Sequence, residues 1–218
     1  INQESGVING VLEINIDMNA TNARYLDLQN EVTNVLGGKP FYADHVMYIL
    51  PPGTFGGWMA YAYTNNWLSV YNDKWCNYLS AQMHEIGHNL GLGHAGENGV
   101  SYGDKSGYMG YSYAEDDTPL MCFNAFHSWK LGWYITKSVV VPKGGSFSGN
   151  LSGFVDYGNS GAETVLIRLE RNNNDSDSDF FVNYNKKTGF NSGTLTGGDQ
   201  VLVVYGDGVG TRHVALLV

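Results

Sequence analysis

The stretch from Tyr78 to His94 reads YLSAQMHEIGHNLGLGH, and its spacing decides how the rest of the chain is read. Leu79, Met83, Ile86 and Leu90 recur at helical intervals, so the segment predicts a helix with one apolar side that halts near Gly91. Within it His84 and His88 stand four residues apart, which stacks their imidazoles on one helix face within reach of a single tetrahedral ion. Glu85 lies beside the first of them, where its carboxylate is placed to take a proton from a metal-bound water rather than to bind the metal. Asn89-Leu90-Gly91 lets the helix end at a residue that tolerates left-handed backbone angles, so that His94 swings back as a third ligand. Three protein ligands leave a fourth position open, as a catalytic zinc site requires. The bland alternative is a helix with chance histidines, since a bare HExxH turns up in unrelated chains. Gly91 and His94 lengthen the pattern and weigh against it.

Upstream, GVINGVLEINI (6–16) predicts a strand, and Thr21 is placed to cap a helix running to about Leu36 and stopped by Gly37-Gly38. HVMYIL (45–50) is a short apolar run ended by Pro51-Pro52, and WMAYAY (58–63) and WLSVY (67–71) flank an Asn65-Asn66 turn. All three predict sheet strands. Residues 95–134 are rich in Gly, Tyr and Asp without clear periodicity and end in FNAFHSWKLGWY, whose later part predicts a helix. Beyond about residue 138 the texture changes to VVVP, VLIRLE, FFVNY and VLVVYG separated by polar turns, which predicts antiparallel strands.

The bulk composition narrows the partners. A net charge of −9 with only 12 basic residues excludes the clustered lysines and arginines that phosphate backbones require, so no nucleic acid is expected. No apolar run approaches the roughly 20 residues of a membrane span, and none is expected. Sequons at Asn19, Asn150 and Asn174 predict a secreted glycoprotein.

The full pattern HExxHxxGxxH over His84–His94 resembles the metzincin metallopeptidases, which also carry a methionine turn beneath the metal. Met109 and Met121 are the candidates. Met109, in Gly107-Tyr108-Met109-Gly110-Tyr111, resembles that turn better, because Tyr111 follows two places later as in the astacin-like and serralysin-like members. In those relatives the tyrosine approaches the zinc, so the resemblance assigns Tyr111 a catalytic role; the competing reading is one more packed aromatic in a chain of 15 tyrosines. Three blocks, HEIGHNLGLGHAGE, YGDKSGYMGYSY and CFNAFHSWKLGWY, are similar to the gametolysin-type peptidases of algal cell walls. They cover residues 84–134, with a weaker likeness at Phe181–Asn185. Some members replace the first ligand by Gln; this chain keeps His84. The resemblance implies a secreted zinc endopeptidase acting on extracellular-matrix or cell-wall glycoproteins, made with an inhibitory propeptide, so that Ile1 is expected near an activation site.

Remaining features are weighed against plainer roles. The resemblance to metzincins implies that the strand before the active-site helix is an edge that pairs with extended substrate; residues 58–71 fit that place, with Trp58, Tyr61, Tyr63 and Trp67 either lining subsites or packing across strands. Cys76 and Cys122 flank the irregular segment, and a bridge between them is expected, two buried thiols being the alternative. Asp175, Asp177 and Asp179 alternate like a calcium loop, but Phe180 and Lys186 break the pattern, so a solvated acidic turn is expected; Asp104 and Glu97 offer Ca2+ no argued spacing. His45, His127 and His213 read as packing or surface residues. The chain is therefore expected to be α+β and monomeric: a metzincin-like zinc peptidase domain with a mixed twisted sheet over 1–138, then a β-rich domain over 139–218. The rival function is a catalytically silent zinc protein used for adhesion, which the presence of Glu85 disfavours.

Overall fold

A computed structural model describes residues 6–40, 43–110, 120–171, 178–206 and, for the backbone alone, 211–217. The architecture is mixed α+β, with three α-helices and two mixed sheets in these residues. Helix α1 (Tyr25–Leu36) is followed by strands β1 (Val46–Leu50), β2 (Ala60–Ala62) and β3 (Leu68–Asn72), then by helix α2 (Leu79–Asn89). A short strand β4 (Ala95–Gly96) and helix α3 (Ala125–Lys130) precede β5 (Ser138–Val141), β6 (Leu166–Leu169), β7 (Phe180–Tyr184), β8 (Val201–Gly206) and β9 (Thr211–Leu217).

The first sheet has the order β1-β3-β2, parallel between β1 and β3 and antiparallel between β2 and β3. Helix α1 covers it, burying Leu28 and Leu36 against Tyr48, Leu50, Leu68 and Val70. Gly37 ends the helix at φ 74°, where a side chain would be strained and glycine is not. The expected cap, Thr21, lies three residues before the observed one, Arg24, because Asn22 adopts φ 60° and breaks the helical path after Thr21. The expected strand at 6–16 does not form either. Asn9-Gly10 makes a tight turn closed by Ile8 and Val11, and Leu12, Ile14 and Ile16 then run along the α1 core without a strand partner.

The second sheet has the order β4-β9-β8-β7-β6-β5. It is mixed and not purely antiparallel, since β5 runs parallel to β6 and β4 parallel to β9. Helix α3, centred in its aromatic segment and not in the later part, buries Phe126 against Phe181, Phe154, Val165 and Leu166. Arg168 binds the fully buried Asp179 carboxylate at 2.7 Å, and the Arg171 amide donates to the same group, so Asp179 is an internal anchor and not part of a solvated turn. Asp175 and Asp177 lie outside the described residues. Cys76 and Cys122 are free thiols. Cys122 faces the α3 core, where burial pushes its pKa up to about 12, while Cys76 sits in the turn Asp73–Asn77 ahead of α2; the expected bridge is not made. The described sequon residues Asn19 and Asn150 are exposed. Among the described residues no helix is long and apolar enough to cross a membrane.

Candidate metal centre

Helix α2 ends beside the first sheet, where Asn89 donates to the carbonyls of Tyr63 and Leu68 and the His88 carbonyl accepts from Asn65 N–H. Those bonds fix the helix end against the β2–β3 turn and turn His84, Glu85 and His88 toward β2. Gly91, at φ 88°, reverses the chain, and Leu92 N–H closes back on the Gly87 carbonyl at 2.9 Å. This is the helix stop that the sequence places there, and it returns His94 to the metal face. One nitrogen from each of His84, His88 and His94 lies within 4.8 Å of the others, and the Nε2 atoms of His88 and His94 are 3.1 Å apart. A tetrahedral ion with bonds of about 2.0–2.1 Å needs nitrogen separations of about 3.4 Å, so the three rings fit zinc after small shifts, in which the His88–His94 pair opens slightly.

The chemistry of the three rings supports the fit. His84 Nδ1 sits 2.7 Å from the Tyr108 carbonyl and His88 Nδ1 2.8 Å from the Leu92 carbonyl. A carbonyl only accepts, so both Nδ1 atoms carry the proton, which makes Nε2 the lone-pair nitrogen of each ring. Burial, reinforced by the neighbouring His88, pushes His84 down to about 3 and His94 to about 4; burial also lowers His88. All three are therefore neutral near pH 7, the state in which imidazole binds a metal. No other cluster of three or more potential ligands occurs among the described residues. The Asp104 carboxylate accepts from the Ser106 amide and hydroxyl and from Asn124 Nδ2.

Met109 is wholly buried beneath the helix, packed with Leu92, Met121 and Phe123. A Cβ on Gly87 would collide with the Met109 sulfur and crowd the Phe123 ring, so the helix lies on the methionine at a position that only glycine fits. In an exposed helix Gly→Ala stabilises by about 0.5–1 kcal/mol. Here Gly87→Ala is expected to reverse the sign and cost about 1–3 kcal/mol through overpacking, read as a lower thermal midpoint of the metal-free protein. A raised midpoint would mean that the methionine is not seated there. The methionine loop is braced from the later part of the chain: Thr194 Oγ1 donates to the Ser106 carbonyl, Leu195 N–H to that of Lys105, and Asn191 Oδ1 accepts from Cys122 N–H.

Glu85 is 3% exposed and lines a cleft of about 580 Å³ together with His84, His88, His94 and Tyr102. The opposite wall is β2 with Trp58, Met59 and Thr64. Strand β2 is the edge of its sheet, so Ala60–Ala62 present an open backbone edge to the cleft, whereas β3, the strand next before α2, lies between β1 and β2 and is not an edge. Of the four aromatic residues expected there, Trp58 and Tyr61 touch the cleft but also pack on Tyr25 of α1. Tyr61 and Tyr63 both donate to Gln29 Oε1, and Trp67 packs on Tyr48, so the cluster chiefly holds α1 to the sheet. Tyr111 lies outside the described residues.

Two residues near the histidines had been given no part. His127 is completely buried behind them, and burial pushes its pKa down to about 3; the Gly93 backbone lies near its ring but outside ordinary hydrogen-bond geometry. It packs between Phe123 and Phe126, as the plain reading had it. Tyr102 is the one the sequence reading passed over, its ring centroid 4.0 Å from that of His94. The legible signal was Asn98-Gly99, a hairpin dipeptide with φ 52° and 79°, which pairs Glu97 with Val100 and folds the chain back over the third histidine.

The sequence model of the family described as gametolysin peptidase M11 matches residues 18–153. Autolysin of Chlamydomonas reinhardtii is 35% identical over 94 residues, which is 40% of this chain and 14% of autolysin. The chain thus corresponds to a small part of that relative's length. No solved structure matches.

Proposed function

Because the chain belongs to the gametolysin peptidase M11 family, we propose that it is a secreted zinc endopeptidase cleaving extracellular or cell-wall proteins. The observation that carries the reading is the convergence of three neutral imidazoles beside a buried carboxylate at an open cleft. His84, His88 and His94 hold the ion, with Met109 as the floor under α2. Zinc, when bound, supplies a Lewis acid that polarises the scissile carbonyl and acidifies water. Glu85 takes the proton from the attacking water and hands it to the leaving amine. The extended substrate adds to the free edge of β2, so its backbone is held by amide hydrogen bonds that do not depend on sequence. The unit over 1–138 acts as a metzincin-like catalytic domain and 139–218 as a β-rich domain, whose Asn191 and Thr194 steady the methionine loop.

The test is metal analysis together with casein cleavage, before and after a strong chelator and after zinc is added back. One zinc per chain, with cleavage that leaves and returns with the metal, is expected. One zinc without cleavage would favour a silent zinc-binding adhesion protein, and no zinc would overturn the assignment.

A further inference from the structure

The three candidate ligands are not held alike. His84 and His88 sit on a helix, and each is oriented by a carbonyl that accepts from its Nδ1. His94 sits beyond the helix stop, and among the described residues its ring makes no hydrogen bond to the backbone; its one polar neighbour is the Nε2 of His88. Two lone pairs at 3.1 Å repel rather than hold each other unless a proton or a cation stands between them. A cation bound by both rings would displace the proton between them, so this contact does not orient His94 as a ligand in the way the two carbonyls orient His84 and His88.

What lies against it is Tyr102. The two ring centroids are 4.0 Å apart with the planes tilted by 36°, and the same tyrosine lies 5.8 Å from the His84 ring at 24°. Tyr102 is placed by the Asn98-Gly99 turn and by Gly103, where a Cβ would strike the Glu97 backbone. Its hydroxyl forms no hydrogen bond among the described residues, so the contact with His94 is made by the ring face. We infer that Tyr102 is the positioning residue for the third ligand, its ring doing for His94 what the Tyr108 and Leu92 carbonyls do for His84 and His88. The inference rests on the zinc reading of the site and adds a role that the His-Glu pattern does not contain. Partners that orient ligands are worth roughly 10–100-fold in metal affinity, which sets the expected scale.

The experiment is zinc titration of the metal-free protein against a chromophoric chelator, for the native chain, Tyr102→Phe and Tyr102→Leu, with thermal melting of each metal-free protein. Tyr102→Phe keeps the ring and is expected to bind zinc within about twofold of native, whereas Tyr102→Leu binds about 10–100-fold more weakly with little change in melting. Cobalt substitution gives a second readout, since a loosened third ligand alters the visible absorption of tetrahedral Co2+ in the Leu variant and not in the Phe variant. Equal affinity for native and Leu proteins would overturn the inference while leaving the zinc site intact. Equal weakening in Phe and Leu would overturn it in favour of the hydroxyl. If the native chain takes up no zinc, the zinc reading falls and the inference falls with it.

Discussion

Glu85→Gln should bind one zinc per chain and cleave casein about 10²–10⁴-fold more slowly, the range that a positioned general base contributes. The substitution keeps the shape of the side chain and removes only its ability to accept a proton. Glu85 is 3% exposed on α2, next to the equally buried His84, and the isosteric amide leaves the packing alone. Metal content and kcat separate the possible roles. Loss of zinc would show that the carboxylate holds the ion. Native turnover in the Gln variant would show that the proton is taken by another group.

Asp104→Ala is the second large effect, and it acts on stability. The carboxylate is fully buried and receives the Ser106 amide, the Ser106 hydroxyl and Asn124 Nδ2, while Asn124 Oδ1 caps α3 by accepting from His127 N–H. Truncation leaves these donors facing an apolar space. Hydrogen bonds to charged groups are worth about 1.5–3 kcal/mol each, with partial relaxation in the variant, so a loss of about 3–5 kcal/mol is expected from urea unfolding. Asp104→Asn keeps one acceptor and should fall in between. A loss below about 1 kcal/mol for the Ala variant would mean that the loop is held by its backbone alone. Gly110 gives the loop the same importance from the other side, since a Cβ there would overlap the Asp104 carbonyl.

Much of the site was legible because it is local. His84, His88 and Glu85 follow from helical spacing, and Gly91 at φ 88° is the left-handed stop that its position implied. Met109 was singled out through its neighbours in the chain, and the structure seats it against Gly87. Strand β1 was legible as well, since Tyr48 and Leu50 alternate with exposed or partly covered positions and Pro51-Pro52 ends it, whereas β3 is buried on both faces. What failed depended on distant contacts. The apolar residues of 6–16 looked like a strand, but their hydrophobic demand is met by lying on α1 without a partner. Asp179 looked solvated because the sequence does not say that Arg168 folds onto it. Parallel pairing of β5 with β6 and of β4 with β9 cannot be read from strand texture, because the period of two is the same in either direction.

The pairing of β4 with β9 has a consequence for the order in which the molecule assembles. Ala95, the residue after His94, is tied at one edge to Met109 and at the other to Thr211. During synthesis all the histidines of the site leave the ribosome long before residue 211 is made. The helical pair can form at once, as local contacts do, whereas the strand that fastens the third ligand's neighbour must wait for the slowest, longest-range closure in the described chain. Full rigidity of the centre is thus a late event in folding, and a nascent chain carries its histidine pattern for some time before it carries the finished scaffold.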